Sequence, residues 1–226
     1  MVRYTQRRHA AKEDKQYMVC RERNEGVCMG GRLVNGQWVT KENWEAGTSG
    51  EFKRQESAFR DWGVHPESGR YHLYVSYACP WAHRTLIMRT LLGLEGVISY
   101  STVHPLMLDD GWYFDGTDAT YPSADPIHSA QFLHQLYTRA QPDFTGRVTV
   151  PMLWDKTADV LVNNESADII RILATEFAPL GSGDLNLYPT NQRDVIDAAM
   201  TKFYQPINNG VYRCGFAQSS EAYATA

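Results

Sequence analysis

The chain has 226 residues, a formal net charge of −4, 43% hydrophobic residues and 21% charged residues. That is enough chain for one large domain or two small ones with a buried core, in an ordinary soluble composition. The mild acidity argues against a general nucleic-acid binder, and no uninterrupted apolar run is long enough to span a membrane.

Residues 1–28 are polar and mostly basic without periodicity, which predicts a disordered arm. The N-terminus lacks the apolar core of a secretory signal. The four cysteines (Cys20, Cys28, Cys79 and Cys214) include no Cys-x-x-Cys pair, so their spacing fits no zinc site. Free thiols in a reducing cytoplasm are expected, with two disulfides in a secreted protein as the alternative. "MGGRLVNGQWV", from Met29, predicts a small β element turning at Asn35-Gly36, and Met29 is a second candidate start. Residues 43–70 are rich in Gly, Ser and charge and predict an irregular lead-in.

Tyr71, Leu73 and Val75 alternate with His72, Tyr74 and Ser76, a strand by period. Pro80 suits the first turn of a helix, where its missing N–H costs nothing. Ala82, Leu86, Ile87 and Leu91 recur at helical spacing, and Gly93 is a fitting stop. "GVISYSTV" predicts a second strand. A long aromatic loop follows over residues 104–126, and loops of that length are usually functional or disordered. Phe132, Leu133, Leu136 and Tyr137 mark one helix face. "RVTVPMLWD" and "DVLVNN" predict two strands around a turn at "DKTAD". Ile169, Ile170, Leu173 and Phe177 predict a helix starting near Asn164-Glu165-Ser166. The order β, α, β, α, β, β, α implies a mixed sheet covered by helices. Beyond a boundary near residues 181–190 the pattern is helical only, with Val195, Ile196, Ala199 and Phe203 on one face.

Three stretches carry chemistry. In "YACPWAHR", Cys79 stands at the start of a helix, where unpaired N–H groups and the helix dipole stabilise a thiolate. With no second cysteine nearby, a mixed disulfide formed there needs an external thiol. The alternative is an inert buried cysteine. In "TVPM", a cis Val150–Pro151 bond would leave the Val150 backbone able to pair with an extended ligand; an ordinary edge-strand proline is the alternative. In "NNES", Glu165 and Ser166 can cap a helix, or can hold a ligand's ammonium and carboxylate. Glutathione, a thiol between peptide groups with a zwitterionic γ-glutamyl end, fits all three.

"YVSYACPWAHRTLI", "GRVTVPMLWD", "NNESADIIR" and "INNGVYRCGFA" resemble the glutathionyl-hydroquinone reductases, or Xi-class glutathione transferases, from about Met29 onward. The resemblance implies an α/β thioredoxin-like glutathione-binding domain followed by an all-α glutathione-transferase-type domain. The chain then divides into an arm and lead-in (1–70), the thioredoxin-like domain (71–182) and the start of the helical domain (190–226). It implies reduction of glutathionyl-hydroquinones with glutathione as co-substrate and no metal, and a homodimer when the helical domain is complete. Partners are then small glutathionylated quinols, with no nucleic acid and no membrane. Family members continue well past the point at which this chain stops, so the helical domain is expected to be incomplete.

By that resemblance Cys79 is the catalytic thiol and Tyr212 a tyrosine of the hydroquinone pocket. Trp112 lies beside glutathione, Arg147 near its glycyl end, Val150 against its backbone, and Glu165 and Ser166 at its γ-glutamyl end. Loop packing for Trp112, a solvated charge for Arg147 and a helix-face aromatic for Tyr212 remain the alternatives. The rival activities are an Omega-like thiol transferase or dehydroascorbate reductase, and a non-catalytic glutathione-binding module.

Overall fold

The computed structural model describes residues 31–40 and 49–226. The arm expected over residues 1–28 lies outside the described residues. Strands β1 (Arg32–Val34) and β2 (Gln37–Val39) form an antiparallel hairpin. Its turn places Asn35 and Gly36 at φ +47° and +77°, the left-handed pair that an Asn-Gly turn supplies. The hairpin docks through reciprocal Leu33–Gly146 backbone bonds of 2.9 Å each.

Strands β3 (Tyr71–Val75), β4 (Ser99–Thr102), β5 (Met152–Asp155) and β6 (Val160–Asn163) form one sheet in the order β4-β3-β5-β6. β3 runs parallel to β4 and antiparallel to β5, and β5 is antiparallel to β6. The sheet is therefore mixed, as the element order implied. The connection from β3 to β4 is helix α1 (Pro80–Leu91), as a parallel pair requires a crossover. Helices α2 (Leu133–Ala140) and α3 (Ser166–Ile172) complete the covering, α3 continuing through a wider π-type turn at Leu173–Phe177.

The alternation read in β3 is not an inside–outside pattern: all five residues are buried. The polar members are satisfied internally. His72 bonds the Ser99 and Ser101 hydroxyls at 2.8 Å each, and the Tyr74 hydroxyl donates to Asp125 at 2.7 Å. Leu73, Leu133, Leu136, Leu153, Trp154, Ile169 and Phe177 make the centre of the core. Each such side chain contributes about 1.5–3 kcal/mol by leaving water.

The expected face of α1 needs correction. Ile87 and Leu91 are exposed, and the buried positions are Ala82, Thr85 and Arg89. Arg89 pays its burial by donating to the Ile98 and Glu95 carbonyls at 2.6 and 2.9 Å, and Thr85 donates to the Ala82 carbonyl at 2.7 Å. Gly93 ends the helix at φ +64°, where a Cβ would stand 2.4 Å from Ser182 Oγ.

Helices α4 (Arg193–Phe203), α5 (Gly210–Gly215) and α6 (Ser220–Thr225) follow. The shared face read for α4 is not buried: Val195 is 72% and Phe203 45% exposed. Polar links hold α4 to the sheet side instead. Asp197 Oδ1 accepts from Arg171 Nη2 and its Oδ2 from the Tyr188 hydroxyl, each at 2.6 Å. Among the described residues no helix is long and apolar enough to cross a membrane.

Asp115 and Asp118 cap turns within the long loop, and Asp125 anchors its end. Asp125 accepts from Tyr74 and from the N–H groups of Ile127, His128 and Ala130. Burial pushes this carboxyl upward, but the Tyr74 hydroxyl and the three N–H donors outweigh it and hold its pKa below the usual range. Replacing Asp125 with Ala should cost about 3 kcal/mol at neutral pH, read from denaturant midpoints. A depressed folded pKa stabilises above the unfolded value and is lost as pH falls through the folded one. The deficit of Asp125→Ala should therefore shrink below about pH 4.

Candidate active site

β3 delivers its chain into a tight turn. The Cys79 N–H donates to the Ser76 carbonyl at 3.1 Å, and Ala78 N–H to Ser76 Oγ at 3.3 Å. Cys79 itself is extended, at φ −103° and ψ 113°, immediately before Pro80 opens α1. The sulfur thus sits at a helix start without being part of it. Its thiol donates to the Val150 carbonyl at 3.5 Å. The Val150–Pro151 bond is cis.

β6 ends beside it. Asn163 Oδ1 accepts the Glu165 N–H at 2.8 Å, turning the chain into α3. Glu165 caps that helix, its Oε1 accepting from Ala167 N–H at 3.0 Å, while Oε2 accepts from the Ser57 hydroxyl at 2.9 Å. Arg84, from α1, donates to Ser166 Oγ at 2.6 Å and stands 3.7 Å from Glu165 Oε1. The capping geometry anticipated for Glu165 is therefore present, with an arginine that the motif did not reveal.

A cleft of about 610 Å³ opens at this corner. Cys79, Trp112, Arg147, Val150, Glu165, Ser166 and Tyr212 all line it, so residues spread over more than half the chain meet in one place. Trp112 arrives on the long loop, fixed where its carbonyl accepts the Leu133 N–H at 2.9 Å. Arg147 is placed by its N–H, which donates to Gln55 Oε1 at 3.1 Å. Tyr212, on α5, stacks against Phe52 and Trp81 with ring centroids 6.1 Å apart in each case. Among the described residues no group of His, Cys, Asp and Glu is arranged to hold a metal ion.

Residues 78–176 match the family model described as glutathione S-transferase, N-terminal domain. Over 211 residues the chain is 47% identical to the glutathionyl-hydroquinone reductase YqjG of Escherichia coli, covering 87% of this chain and 63% of that protein. A glutathione-bound structure of YqjG superposes with a TM-score of 0.72, at 47% identity, over 86% of this chain and 61% of that one. The Xi-class transferase of Natrialba magadii superposes with a TM-score of 0.78, at 46% identity, over 87% of this chain and 61% of that one. This chain belongs to the Xi-class glutathione transferase family. An omega-like glutathione S-transferase of Schizosaccharomyces pombe is 47% identical over 184 residues, 77% of this chain and 58% of that protein. The chain spans about three fifths of the length of these relatives.

In this Xi-class chain the lead-in is a wall of the cleft, not a passive connection. Residues 49–70 hold no helix or strand, yet Arg54, Gln55, Glu56, Ser57 and Arg60 line the site. Sequence patterning could not find them, because a strap that bonds through side chains and single backbone pairs has no period. Trp38 and Trp81 also line the cleft and were likewise missed. A tryptophan directly inside "CPWA" was the one available signal.

The electrostatics of Cys79 depart from the expected acid shift. Burial pushes the thiol up, while the N–H groups of Ala82 and Trp81 and the charges of Arg54 and Arg84 pull it down; burial wins. The helix start was read correctly, but the walls that desolvate the sulfur come from distant segments. Alkylation by iodoacetamide should therefore titrate above the free-cysteine value of about 8.5. Arg84→Gln removes a nearby positive charge and should raise that midpoint further. A midpoint near neutrality in the unmodified protein would contradict this balance.

Proposed function

We propose that this chain reduces glutathionyl-hydroquinones to hydroquinones with glutathione. The observation that carries the reading is a lone thiol at a helix start, facing a cleft in which no second cysteine is found among the described residues. A dithiol site resolves its own mixed disulfide; a single thiol needs one from outside. The names of the 47%-identical relatives point to the same chemistry. Residues 71–182 would bind glutathione, and residues 190–226 would begin an all-helical unit. A cytoplasmic setting accompanies this reading, and a homodimer does so where the helical domain is complete.

Cys79 attacks as thiolate on the glutathione sulfur of the substrate, forming a Cys79–glutathione disulfide and releasing the hydroquinone. A second glutathione attacks that disulfide and departs as glutathione disulfide, regenerating Cys79. Glu165 pairs the γ-glutamyl ammonium. Ser166, with Arg84 beside it, receives the α-carboxylate. Val150 pairs the cysteinyl backbone, Trp112 packs alongside, and Arg147 meets the glycyl carboxylate. Tyr212 is the proton donor: burial, with the nearby Cys79 charge, raises its pKa and keeps the phenol protonated.

Cys79→Ala should abolish turnover of a glutathionyl-hydroquinone while sparing glutathione binding. Glu165→Ala should weaken glutathione by roughly tenfold or more, the cost of a charge-assisted contact of about 1.5–3 kcal/mol. Calorimetric titration separates the two effects. Unchanged affinity in Glu165→Ala, together with a lowered melting temperature, would leave that residue a helix cap only. Faster turnover of dehydroascorbate than of the quinol conjugate would move the activity to the omega-like class named among the relatives.

A further inference from the structure

Among the described residues that line the cleft, two carry a buried donor with no hydrogen-bond partner: Arg54 Nη2 and Trp81 Nε1. Native proteins rarely leave such groups unpaired, and exceptions at a cleft point to a ligand atom. Arg54 is held in place from behind. Its Nε donates to Asn209 Oδ1 at 2.8 Å, and Asn209 is buried. Its guanidinium lies 4.2 Å from the Tyr212 ring centroid and 5.1 Å from that of Trp81. The Tyr212 hydroxyl shares this corner: Arg54 and Trp81 both approach its oxygen without reaching hydrogen-bond geometry, and Cys79 is close enough to act on it. Three donors of different kinds thus converge next to one sulfur.

The chemistry of the reaction proposed above asks for such a set. When Cys79 takes the glutathione sulfur, the sulfur–carbon bond breaks and its electron pair must settle on the ring. A bare aryl carbanion is far too basic to leave. In the keto tautomer of the conjugate the same pair ends on the adjacent ring oxygen, giving a phenolate. The ring carbon keeps the hydrogen it gained on tautomerisation. The two sulfurs are oxidised to the disulfide, the ring is reduced, and the oxygen then takes a proton. The oxygen, not the carbon, is where charge develops.

We propose that Arg54 Nη2 and Trp81 Nε1, with the Tyr212 hydroxyl, form an oxyanion subsite for the phenolic oxygen of the departing ring. This rests on the activity reading given above, and it makes Arg54 and Trp81 specificity-determining for substrates that leave as phenolates. Donors aimed at developing charge in a water-poor site are worth about 100-fold in rate.

The test uses Arg54→Gln and Trp81→Phe, the second keeping the stacked ring and deleting only the donor. Each is assayed with a glutathionyl-hydroquinone and with the mixed disulfide of glutathione and 2-mercaptoethanol, whose leaving group has no ring oxygen. The ratio of quinol to disulfide activity should fall at least tenfold in both variants. Independently, 4-nitrophenol bound to the wild-type protein should ionise at lower pH than in free solution, read by its absorbance, and Arg54→Gln should abolish that shift. Equal losses with both substrates would assign Arg54 to the Cys79 thiolate and overturn the subsite, as would an unshifted nitrophenol titration in the wild type. Absence of quinol turnover in the wild type would sink the activity reading alone, and the nitrophenol titration would still decide the subsite.

Discussion

The bidentate pair between Arg60 and Asp168 is the constraint from which the cleft follows. Arg60 Nε and Nη2 meet the two Asp168 oxygens at 2.7 Å each, and Asp168 is buried near the start of α3. Arg60 is exposed while Asp168 is buried, so losing the arginine would leave a buried carboxylate without its charged partner. Around it the strap is stitched to the end of β6: Asp61 N–H donates to the Val162 carbonyl, Asn163 Nδ2 to the Asp61 carbonyl, and Phe59 N–H to Asn164 Oδ1. With the strap fixed there, Ser57 reaches Glu165 and Arg54 reaches the far wall beside Cys79.

The same strap links the sheet side to the last helices. Arg54 bonds Asn209, Phe52 packs on Tyr212 and Phe216, and Gln218 N–H donates to the Gly50 carbonyl at 2.9 Å. Tyr212 therefore owes its place near Cys79 to a segment more than 150 residues earlier as much as to its own helix. α4, in contrast, buries no residue, and its attachment is polar through Asp197. One end of the helical part is locked to the site while α4 presents an exposed apolar face.

Cys79 shows two opposed demands met at one atom. A helix start and two guanidinium groups favour the thiolate, whereas the walls that exclude water favour the thiol. A more open site would lower the cost of the thiolate but also weaken the pull of the two guanidinium groups, because electrostatic interactions weaken as water enters. Burial also raises the Tyr212 pKa, so the enclosure that disfavours the Cys79 thiolate keeps the neighbouring phenol protonated.

Much of this was legible along the chain. The four strands of the sheet, the helix opened by Pro80, the Asn-Gly hairpin and the helix start at Glu165-Ser166 are local events, written in period, turn chemistry and capping. Of the seven candidate residues, Cys79, Val150, Glu165 and Ser166 stood out by motif and Trp112, Arg147 and Tyr212 only by family resemblance; all seven line one cleft. The buried face of α1 was not, because Thr85 and Arg89 look solvated until the carbonyls of Ile98 and Glu95 fold over them. Nor was the strap, which has no periodicity, or the direction of the Cys79 shift. Patterning reports what a residue does with neighbours three or four positions away. Desolvation, and the meeting of Arg54, Trp81 and Tyr212 beside one sulfur, depend on surfaces brought together from distant parts of the chain, and only the tertiary structure decides those.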